Sequence, residues 1–579
     1  MAKKSSLKII FLGGLNEVGR NIMVMEKDNN IIIVDCGIMF PDDYLPGIDF
    51  LIPDFYYLKK NSSKIKALII THGHEDHIGA IPFLFKEIQP SIINIFATKL
   101  TLGLIKAKIN SIPIIQSETS PKLNTNNSIK IHEPSSGLIL NEIDTEKKLI
   151  VGPFELEFFR VNHSIPDGVG IIFRTDIGNI VHSGDFKFDQ FPIDCKVTEY
   201  SKITSIGKEG VLALLCDSTN AEEKGFTLPE REVGKTLYEK FEQAEKRIIV
   251  ATFSSHIHRI QQVLDSAKTL GKKVAASGRT MLKTIKIASD LGYLKIPENT
   301  MIPITKIDEF PLNKIVMLST GSQGEPLSTL RKMALMEHPR VKIMKGDMVI
   351  ISSSPIPGNE NAISSTINML LKQGADVVYE SIAGVHVSGH AQQEEIKMMI
   401  NMVKPDYFIP IHGEYKHRIQ CAKLAKSIGI DDDKIIIAQN GDILKLNQDF
   451  CRISGNLNLQ NIYIDGYGTG NTEDVVLRDR KILSHNGIIF MTLVVNSRKN
   501  LIIKEPEFIF KGIIYLEDFE EIISQSRQLL WENIQKCFKN NMTNVQIIEE
   551  ILSEALEKYI SKKINLRPII VCKIFDLSE

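Results

Sequence analysis

Three histidines and an aspartate are concentrated in residues 71–77, Thr-His-Gly-His-Glu-Asp-His. The stretch directly follows an apolar run that predicts a buried strand. His72 and His74 can bind one metal ion if the chain stays extended there, while Asp76 and His77 turn with the chain toward a second ion. Imidazole and carboxylate ligands without thiolates suit zinc or manganese. A surface loop that is His-rich by chance is the alternative, and the spacing argues against it.

Further carboxylate and imidazole side chains follow apolar runs that predict strands: Asp35, His163, Asp185 and His412. Asp185 is placed where a carboxylate could bridge two ions. Asp35 could support metal-binding histidines or cap a simple turn, and the local sequence favours neither. The elements that must position this chemistry are therefore strands whose ends meet at one edge.

Composition indicates an ordinary globular protein. The chain has 579 residues, 43% hydrophobic and 24% charged, which suggests three or four domains. A net charge of −1 excludes a global basic field, so a nucleic-acid partner would need a local patch. The seven cysteines lack CxxC pairing, as expected for reduced thiols in a cytoplasm. The apolar run at 7–12 is too short for a signal or membrane segment, and we expect a cytoplasmic protein without a membrane partner.

The chain changes character after residue 221. Apolar runs and amphipathic stretches alternate up to residue 384, which predicts an inserted parallel-sheet domain. Polar residues follow several of these runs, for example residues 253–259 and 319–325. Ligands favour the carboxyl ends of parallel strands, so these loops are candidates for binding a phosphate backbone, although loop serines and glycines usually make turns.

The last part of the sequence predicts a small α+β unit. A strand at 434–438 is expected to close the part before it. In this unit we expect strands at 462–466, 481–484, 487–495, 501–504 and 568–574, and helices at 518–536 and 543–560. Trp531, the single tryptophan, is expected in the core of this unit.

The order of the candidate ligands resembles the metallo-β-lactamase fold, an αββα sandwich with its metal site along one edge of two facing sheets. The resemblance covers roughly the first 220 residues. It implies that His72, His74 and His163 bind one ion, that Asp76 and His77 bind the other, and that Asp185 lies between them. A further histidine should complete the second ion.

Three short motifs refine this resemblance. Asp217-Ser218-Thr219, Ser388-Gly389-His390 and Ile411-His412-Gly413 have the form of motifs A, B and C of the β-CASP nucleases, the branch of the superfamily that cuts nucleic acids. With Gly-Gly-Leu-Asn-Glu-Val-Gly-Arg-Asn at 13–21 and Gly-Ser-Gln-Gly-Glu-Pro at 321–326, nearly the whole chain is similar to the bacterial ribonuclease J family. Motif C implies His412 as the remaining ligand, and DNA-directed members typically lack that histidine.

The resemblance also implies roles for residues around the metals. Two divalent ions, zinc or else manganese or magnesium, would stabilise charge on a phosphodiester. His390, hydrogen-bonded to Asp217, could protonate the leaving 3′ oxygen, unless the pair only supports the ligands. The residues expected to bind a 5′ phosphate, which could equally be loop hydrogen-bonders, are His386, Ser388, Gly389 and Ser322.

We therefore expect a metal-dependent ribonuclease that degrades single-stranded RNA from a 5′-monophosphate end and also cuts internally, in mRNA decay and rRNA maturation. A small-molecule thioester or lactone hydrolase of the same superfamily is the alternative, but it would not need motifs A to C. A catalytically inactive RNA-binding subunit is the third option, and it would be expected to lack ligands.

The expected domains follow from these resemblances. They are the metallo-β-lactamase domain in two parts at 1–221 and 385–450, the β-CASP insertion at 222–384, a linker at 451–464 and a C-terminal α+β domain at 465–579. In the resembled family the last domain supports dimers and tetramers. We expect a homodimer or homotetramer through it, with a paralogous subunit as another possible partner.

Overall fold

The computed structural model describes residues 5–41, 45, 47–88, 93–110, 138–323, 328–355, 359–380, 382–466, 468–470, 474–513, 519–540, 542 and 544–577. The chain forms two compact units. The first comprises Met1–Phe40 and Phe50–Asn461, and the second comprises Pro41–Asp49 and Ile462–Glu579.

Two sheets pack face to face in the first unit. One contains β1 (Leu7–Gly13), β2 (Ile22–Lys27), β3 (Asn30–Val34), β5 (Ile65–Ile69), β6 (Ile93–Ala97), β7 (Leu138–Glu142), β19 (Asp442–Leu446) and β20 (Cys451–Asn456). The other contains β8 (Leu149–Val151), β9 (Phe154–Arg160), β10 (Val169–Thr175), β11 (Gly178–His182), β12 (Val211–Asp217) and β18 (Pro405–Ile411). Their strand orders are β20-β19-β1-β2-β3-β5-β6-β7 and β18-β12-β11-β10-β9-β8.

The apolar faces of these sheets form one core. Ile9 and Ile32 from the first sheet pack in the same buried cluster as Phe158 and Ile171 from the second. In β9 the side chains alternate between buried and half-buried positions, because successive residues of a strand point to opposite faces. Residues 451–456, which the sequence places in a linker, pair with β19 and extend the first sheet.

Helices cover the outer faces of the sandwich. They are α1 (Tyr56–Lys60), α2 (Glu75–Ile78), α3 (Ile81–Ile88), α4 (Lys99–Ile109), α5 (Tyr200–Glu209), α11 (Gln393–Val403) and α12 (Tyr415–Ser427). α4 packs against β6 and β7 on one side. On the other side Ile203, Ile396 and Leu424 pack with the outward side chains of the second sheet. The predicted αββα sandwich is confirmed.

The predicted insertion is a parallel sheet between helices. Its strands are β13 (Ile248–Ala251), β14 (Lys273–Ser277), β15 (Ile315–Ser319), β16 (Met348–Ile351) and β17 (Asp376–Val378), in the order β14-β15-β13-β16-β17. Its helices are α6 (Glu230–Gln243), α7 (Ile257–Thr269), α8 (Arg279–Asp290), α9 (Thr329–Ala334) and α10 (Glu360–Lys372). The central strands β13 and β15 are buried along their whole length, as continuous apolar runs predict for a sheet covered on both faces.

The second unit pairs three strands with helices. It contains β23 (Ile488–Asn496), β24 (Leu501–Lys511), β25 (Ile569–Asp576), α13 (Asp474–Asn486), α14 (Phe519–Lys539) and α15 (Val545–Ile564). The strand order is β24-β23-β25. The short strands that remain are β4 (Phe50–Ile52) in the first unit, and β21 (Ile462–Asp465) and β22 (Gly468–Gly470) in the second.

Three local predictions were wrong. Residues 481–484 belong to α13, because a short apolar run does not distinguish helix from strand. Residues 432–434 form a 3-10 turn, and Ile435 makes only an isolated bridge to Phe408. Trp531 is 48% exposed, because the helix turns its neighbour Leu530 into the core instead.

None of the described helices has the length and apolar character needed to cross a membrane.

Candidate metal centre

The ends of four strands bring the predicted ligands together. The chain leaves β5 in an extended loop that carries His72 and His74, and α2 begins directly after His74. This helix turn carries Asp76 and His77. The remaining ligand candidates follow β9, β11 and β18: His163, Asp185 and His412.

One group of ligand atoms comes from three imidazoles. His72 Nε2 and His163 Nε2 lie 3.0 and 3.1 Å from His74 Nδ1. The ligand nitrogens of these residues all lie within 4.8 Å of one another, which is close enough to share one ion. The structure thus brings together the three residues that the resemblance assigned to the first ion.

A second group combines imidazoles with carboxylates. Asp76 Oδ2 lies 3.4 Å from both His77 Nε2 and His412 Nε2. Asp185 Oδ2 lies 3.2 Å from His77 Nε2 and 3.5 Å from His412 Nε2. These four residues form a group whose ligand atoms also lie within 4.8 Å of one another.

Asp185 lies between the two groups. The same Oδ2 atom that faces His77 and His412 is 3.7 Å from His72 Nε2 and 3.9 Å from His163 Nε2. One carboxylate therefore faces candidate ligands of both groups, an arrangement that suits a two-ion site.

In each of the five imidazoles, one ring nitrogen is engaged by the protein and the other faces the cluster. His72 Nδ1 is 3.1 Å from Thr71 Oγ1, and His74 Nε2 is 3.4 Å from Ser164 Oγ. The other engaged nitrogens, each paired with an oxygen, are His77 Nδ1 with Asp35 Oδ2, His163 Nδ1 with the Gly389 carbonyl and His412 Nδ1 with Thr219 Oγ1. Such bonds fix the tautomer that leaves the second nitrogen free for a metal.

Electrostatics also suit a cation. Burial lowers the pKa of His72 and His163, and lowers that of His74 to about 4, so these rings are neutral ligands at neutral pH. Burial also disfavours a charged His412, yet the nearby carboxylates, Asp185 foremost, raise its pKa to about 9. The carboxylates thus favour positive charge at this position, which a divalent cation supplies. Five imidazoles and two carboxylates without a thiolate fit zinc or manganese.

Asp35 supports this cluster from β3. Its Oδ2 accepts a hydrogen bond from His77 Nδ1 at 2.8 Å, and its Oδ1 accepts one from the Thr71 backbone N–H at 2.8 Å. The sequence left two alternatives for Asp35, support of metal-binding histidines or the cap of a simple turn. These contacts favour the first alternative.

Sequence reasoning missed Asn21 and Thr219. Asn21 Nδ2 lies 3.3 Å from Asp76 Oδ2 and 3.1 Å from His77 Nε2. Thr219 Oγ1 lies 2.6 Å from His412 Nδ1 and donates to Asp217 Oδ1 at 2.8 Å. Both residues belong to motifs that the sequence singled out, and this was the available signal.

The predicted acid pair lies beside the metal cluster. His390 Nδ1 donates to Asp217 Oδ2 at 2.7 Å, and the His390 ring centroid is 4.8 Å from that of His163. Burial disfavours a charged His390, but the adjacent Asp217 carboxylate raises its pKa above the usual value. The pair can hold a proton next to the ligand group.

The residues predicted to bind substrate lie in two regions. His386, Ser388 and Gly389 are in the loop that leads to His390, where Ser388 Oγ accepts from Asn220 Nδ2 at 2.7 Å. Gly389 lies so close to His163 that a Cβ would be 2.8 Å from its ring. Ser322 is buried in the inserted domain, and its carbonyl accepts from Ser353 Oγ at 3.1 Å. Residues 324–326 of its motif lie outside the described residues.

Four family models match the chain. They are the metallo-beta-lactamase superfamily over residues 15–200, the ribonuclease J beta-CASP domain over 245–370, the Zn-dependent metallo-hydrolase RNA specificity domain over 374–436 and the ribonuclease J C-terminal domain over 475–577.

Full-length relatives agree with these models. The chain is 38% identical to ribonuclease J 1 of Streptococcus pyogenes, over 98% of this chain and 97% of that protein. It is 34% identical to ribonuclease J2 of Bacillus subtilis over the full length of both. A crystal structure of an Enterococcus faecalis protein of unknown function, 13% identical, shares the fold over 76% of this chain and all of that one with a TM-score of 0.51. The chain belongs to the ribonuclease J family, in the β-CASP branch of the metallo-β-lactamase superfamily.

Proposed function

We propose that this chain is a metal-dependent ribonuclease that hydrolyses RNA phosphodiesters at a site holding two divalent ions. One observation carries this proposal: Asp185 Oδ2 lies within 3.9 Å of imidazoles from both ligand groups. His72, His74 and His163 would bind one ion, Asp76, His77 and His412 the other, and Asp185 both. When bound, such ions polarise the phosphodiester and lower the pKa of an attacking water.

The protein's own groups complete the chemistry. The Asp217–His390 pair holds a proton beside the ligand cluster, and we assign it to the departing 3′ oxygen. Thr219 connects this pair to His412, because its hydroxyl lies between Asp217 Oδ1 and His412 Nδ1. The Thr219 hydroxyl thus fixes the position of the Asp217–His390 pair relative to His412 of the second ligand group.

We further propose that the enzyme acts as a 5′-to-3′ exonuclease with a preference for 5′-monophosphate ends, and also as an endonuclease. The support is the position of His386 and Ser388, four and two residues before His390. His386 Nδ1 is buried and has no hydrogen-bond partner among the described residues, so this loop keeps an unused polar atom four residues from His390. mRNA decay and rRNA maturation in the cytoplasm are the processes that we assign to this activity.

We also propose self-association through the C-terminal domain. Its sheet is covered by α14 and α15 on one face, while the other face exposes apolar side chains. Phe490 is 39% exposed and pairs in register with Ile509 on one side and Val571 on the other, which are 55% and 39% exposed. This row spans all three strands and would be covered by a second copy or a paralogous subunit.

The test is cleavage of a single-stranded RNA labelled in its 5′ nucleotide, bearing either a monophosphate or a triphosphate, with Mn²⁺ or Mg²⁺. We expect labelled mononucleotide from the monophosphate RNA at a higher rate. His386→Ala should reduce the difference in cleavage rate between the monophosphate RNA and the triphosphate RNA. Cleavage of both RNAs at equal rates into longer fragments would contradict the exonuclease assignment, and hydrolysis of a thioester or lactone without RNA cleavage would contradict the ribonuclease itself.

A further inference from the structure

Glu395, in the first turn of α11, is a fully buried carboxylate outside the metal cluster. It accepts three backbone hydrogen bonds: from Phe188 N at 2.7 Å on Oε1, and from Thr227 N and Gln392 N at 2.8 and 2.9 Å on Oε2. A buried carboxylate is costly unless its oxygens are bonded, and here both are.

The three donors come from different segments of the site. Phe188 lies three residues after Asp185. Thr227 lies on the segment that leads into the inserted domain, and Gln392 lies on the segment that returns from it, two residues after His390. The Glu395 side chain therefore connects the segment after Asp185 with the two segments that enter and leave the inserted domain.

Thr227 extends this connection to the acid. Its backbone N–H donates to Glu395, and its hydroxyl donates to the His390 carbonyl at 2.8 Å. Asn220 Nδ2 donates to the same carbonyl at 3.1 Å, and the His390 N–H donates to Ser388 Oγ at 3.1 Å. The backbone of His390 is held on both sides, and one of these contacts depends on Glu395.

We propose that Glu395 is a positioning residue for the reaction: through Thr227 it holds His390 in the place where the imidazole faces both Asp217 and the metal ligands. This inference rests on the proposed ribonuclease function. The competing explanation is a purely structural role, in which Glu395 caps α11 and its loss only destabilises the fold.

Glu395→Gln is the informative variant, because it preserves volume but replaces one acceptor oxygen by an NH₂ group that faces a donating N–H. We expect kcat for RNA cleavage to fall about 10- to 100-fold, as small displacements of reacting groups do, with KM changed less than about twofold. Bound metal should remain at the wild-type level. Thr227→Val removes only the hydroxyl, and it should also lower kcat, but by less than Glu395→Gln does.

A double-mutant cycle with His390→Ala separates positioning from structure. In the His390→Ala background, Glu395→Gln and Thr227→Val should lower kcat by less than about twofold, because the group that they position is gone. Asp347→Asn is the matched control: Asp347 is fully buried, accepts from Met344 N and Arg247, and lies in the inserted domain. Its effect should be equal in both backgrounds.

An equal loss from Glu395→Gln in the two backgrounds, or loss of bound metal, would overturn the positioning role. If Glu395→Gln does not fold, Thr227→Val tests the proposal by itself. An equal loss of kcat from Thr227→Val with and without the His390 imidazole would then contradict the positioning role. An inactive wild-type protein would instead contradict the proposed function, so the two failures are distinguishable.

Discussion

Asp185 is the residue through which the two ligand groups become one site. It is 5% exposed, and its Oδ2 faces imidazoles from four separate positions in the chain. Burial raises the pKa of this carboxyl, but His412 and His77 outweigh burial and hold it well below its usual range. It is therefore charged at neutral pH and, in the proposed site, faces both ions as a carboxylate.

Asp185→Asn replaces the carboxylate that faces both ligand groups with a neutral amide, and so removes its negative charge. We expect bound metal to fall below two equivalents and RNA cleavage to drop by at least about 100-fold. Elemental analysis of the dialysed protein measures the first effect and single-turnover cleavage the second. Asp347→Asn should retain metal, and an Asp185→Asn protein with two tightly bound ions would refute the bridging role.

His390→Ala should separate chemistry from metal binding. The imidazole donates to Asp217 and belongs to neither proposed ligand group, although one of its nitrogens lies within 4.8 Å of the ligand atoms of His163 and Asp185. We therefore expect both ions to stay bound. The rate of the cleavage step should fall about 100- to 10,000-fold, the usual contribution of general acid catalysis. A variant that cleaves at the wild-type rate, or that loses its metal, would show that His390 is not the acid.

Spacing in the sequence was enough to predict candidate ligands that lie close together in the chain, such as His72 and His74. It was not enough for Asn21, which is 55 residues from Asp76, or for Thr219, which is 193 residues from His412. These contacts exist only because different strand ends converge, and no local pattern encodes that convergence.

At the scale of elements, α6 and α7 of the inserted domain are joined by a buried ion pair. Glu230 Oε1 accepts from Arg259 Nε at 2.8 Å, and Arg259 also donates to the Val385 carbonyl at 2.9 Å, next to His386. Burial raises the pKa of Glu230, but Arg259 and His256 outweigh it and hold this pKa well below its usual range.

Because the folded pKa of Glu230 is depressed, its contribution to stability is present above the unfolded pKa and is lost as pH falls through the folded value. Glu230→Gln should cost about 3–5 kcal/mol at pH 7, since it leaves the buried Arg259 without its opposite charge. The difference from wild type should narrow below about pH 4.

Denaturant unfolding at several pH values measures this difference. Glu232→Gln on the same helix is the control. Glu232 is half exposed and pairs with Lys235 at the surface, so its loss should change stability by less than about 1 kcal/mol. A Glu230→Gln penalty that stays constant down to pH 3 would contradict the account.

Long, strongly patterned elements were predictable, and short ambiguous ones were not. β13 and β15 follow from buried apolar runs, whereas the run at 481–484 fits a helix face as well as a strand. Trp531 shows that residue type does not fix which face of a helix meets the core, since Leu530 occupies that place.

On the scale of the whole molecule, the chain combines a metal site in one unit with an exposed apolar sheet face in the other. Phe490→Lys places a charge in the centre of that face without touching the core formed by Met491 and Leu493. We expect the mass in solution to fall toward that of the 65.1 kDa monomer.

Analytical ultracentrifugation measures this change. Leu312→Lys, a similarly exposed apolar residue of the inserted domain, should leave the mass unchanged. An unaltered assembly in Phe490→Lys would place the contact elsewhere.

The most direct test of the central claim is a metal titration of the metal-free protein during single-turnover cleavage of a 5′-monophosphorylated RNA, with bound metal measured at each step. We predict that cleavage appears only as the second equivalent of Zn²⁺ or Mn²⁺ binds and stays absent in His74→Ala. Cleavage that is complete without metal or with one equivalent, or a fully loaded protein that leaves RNA intact, would contradict a two-ion ribonuclease.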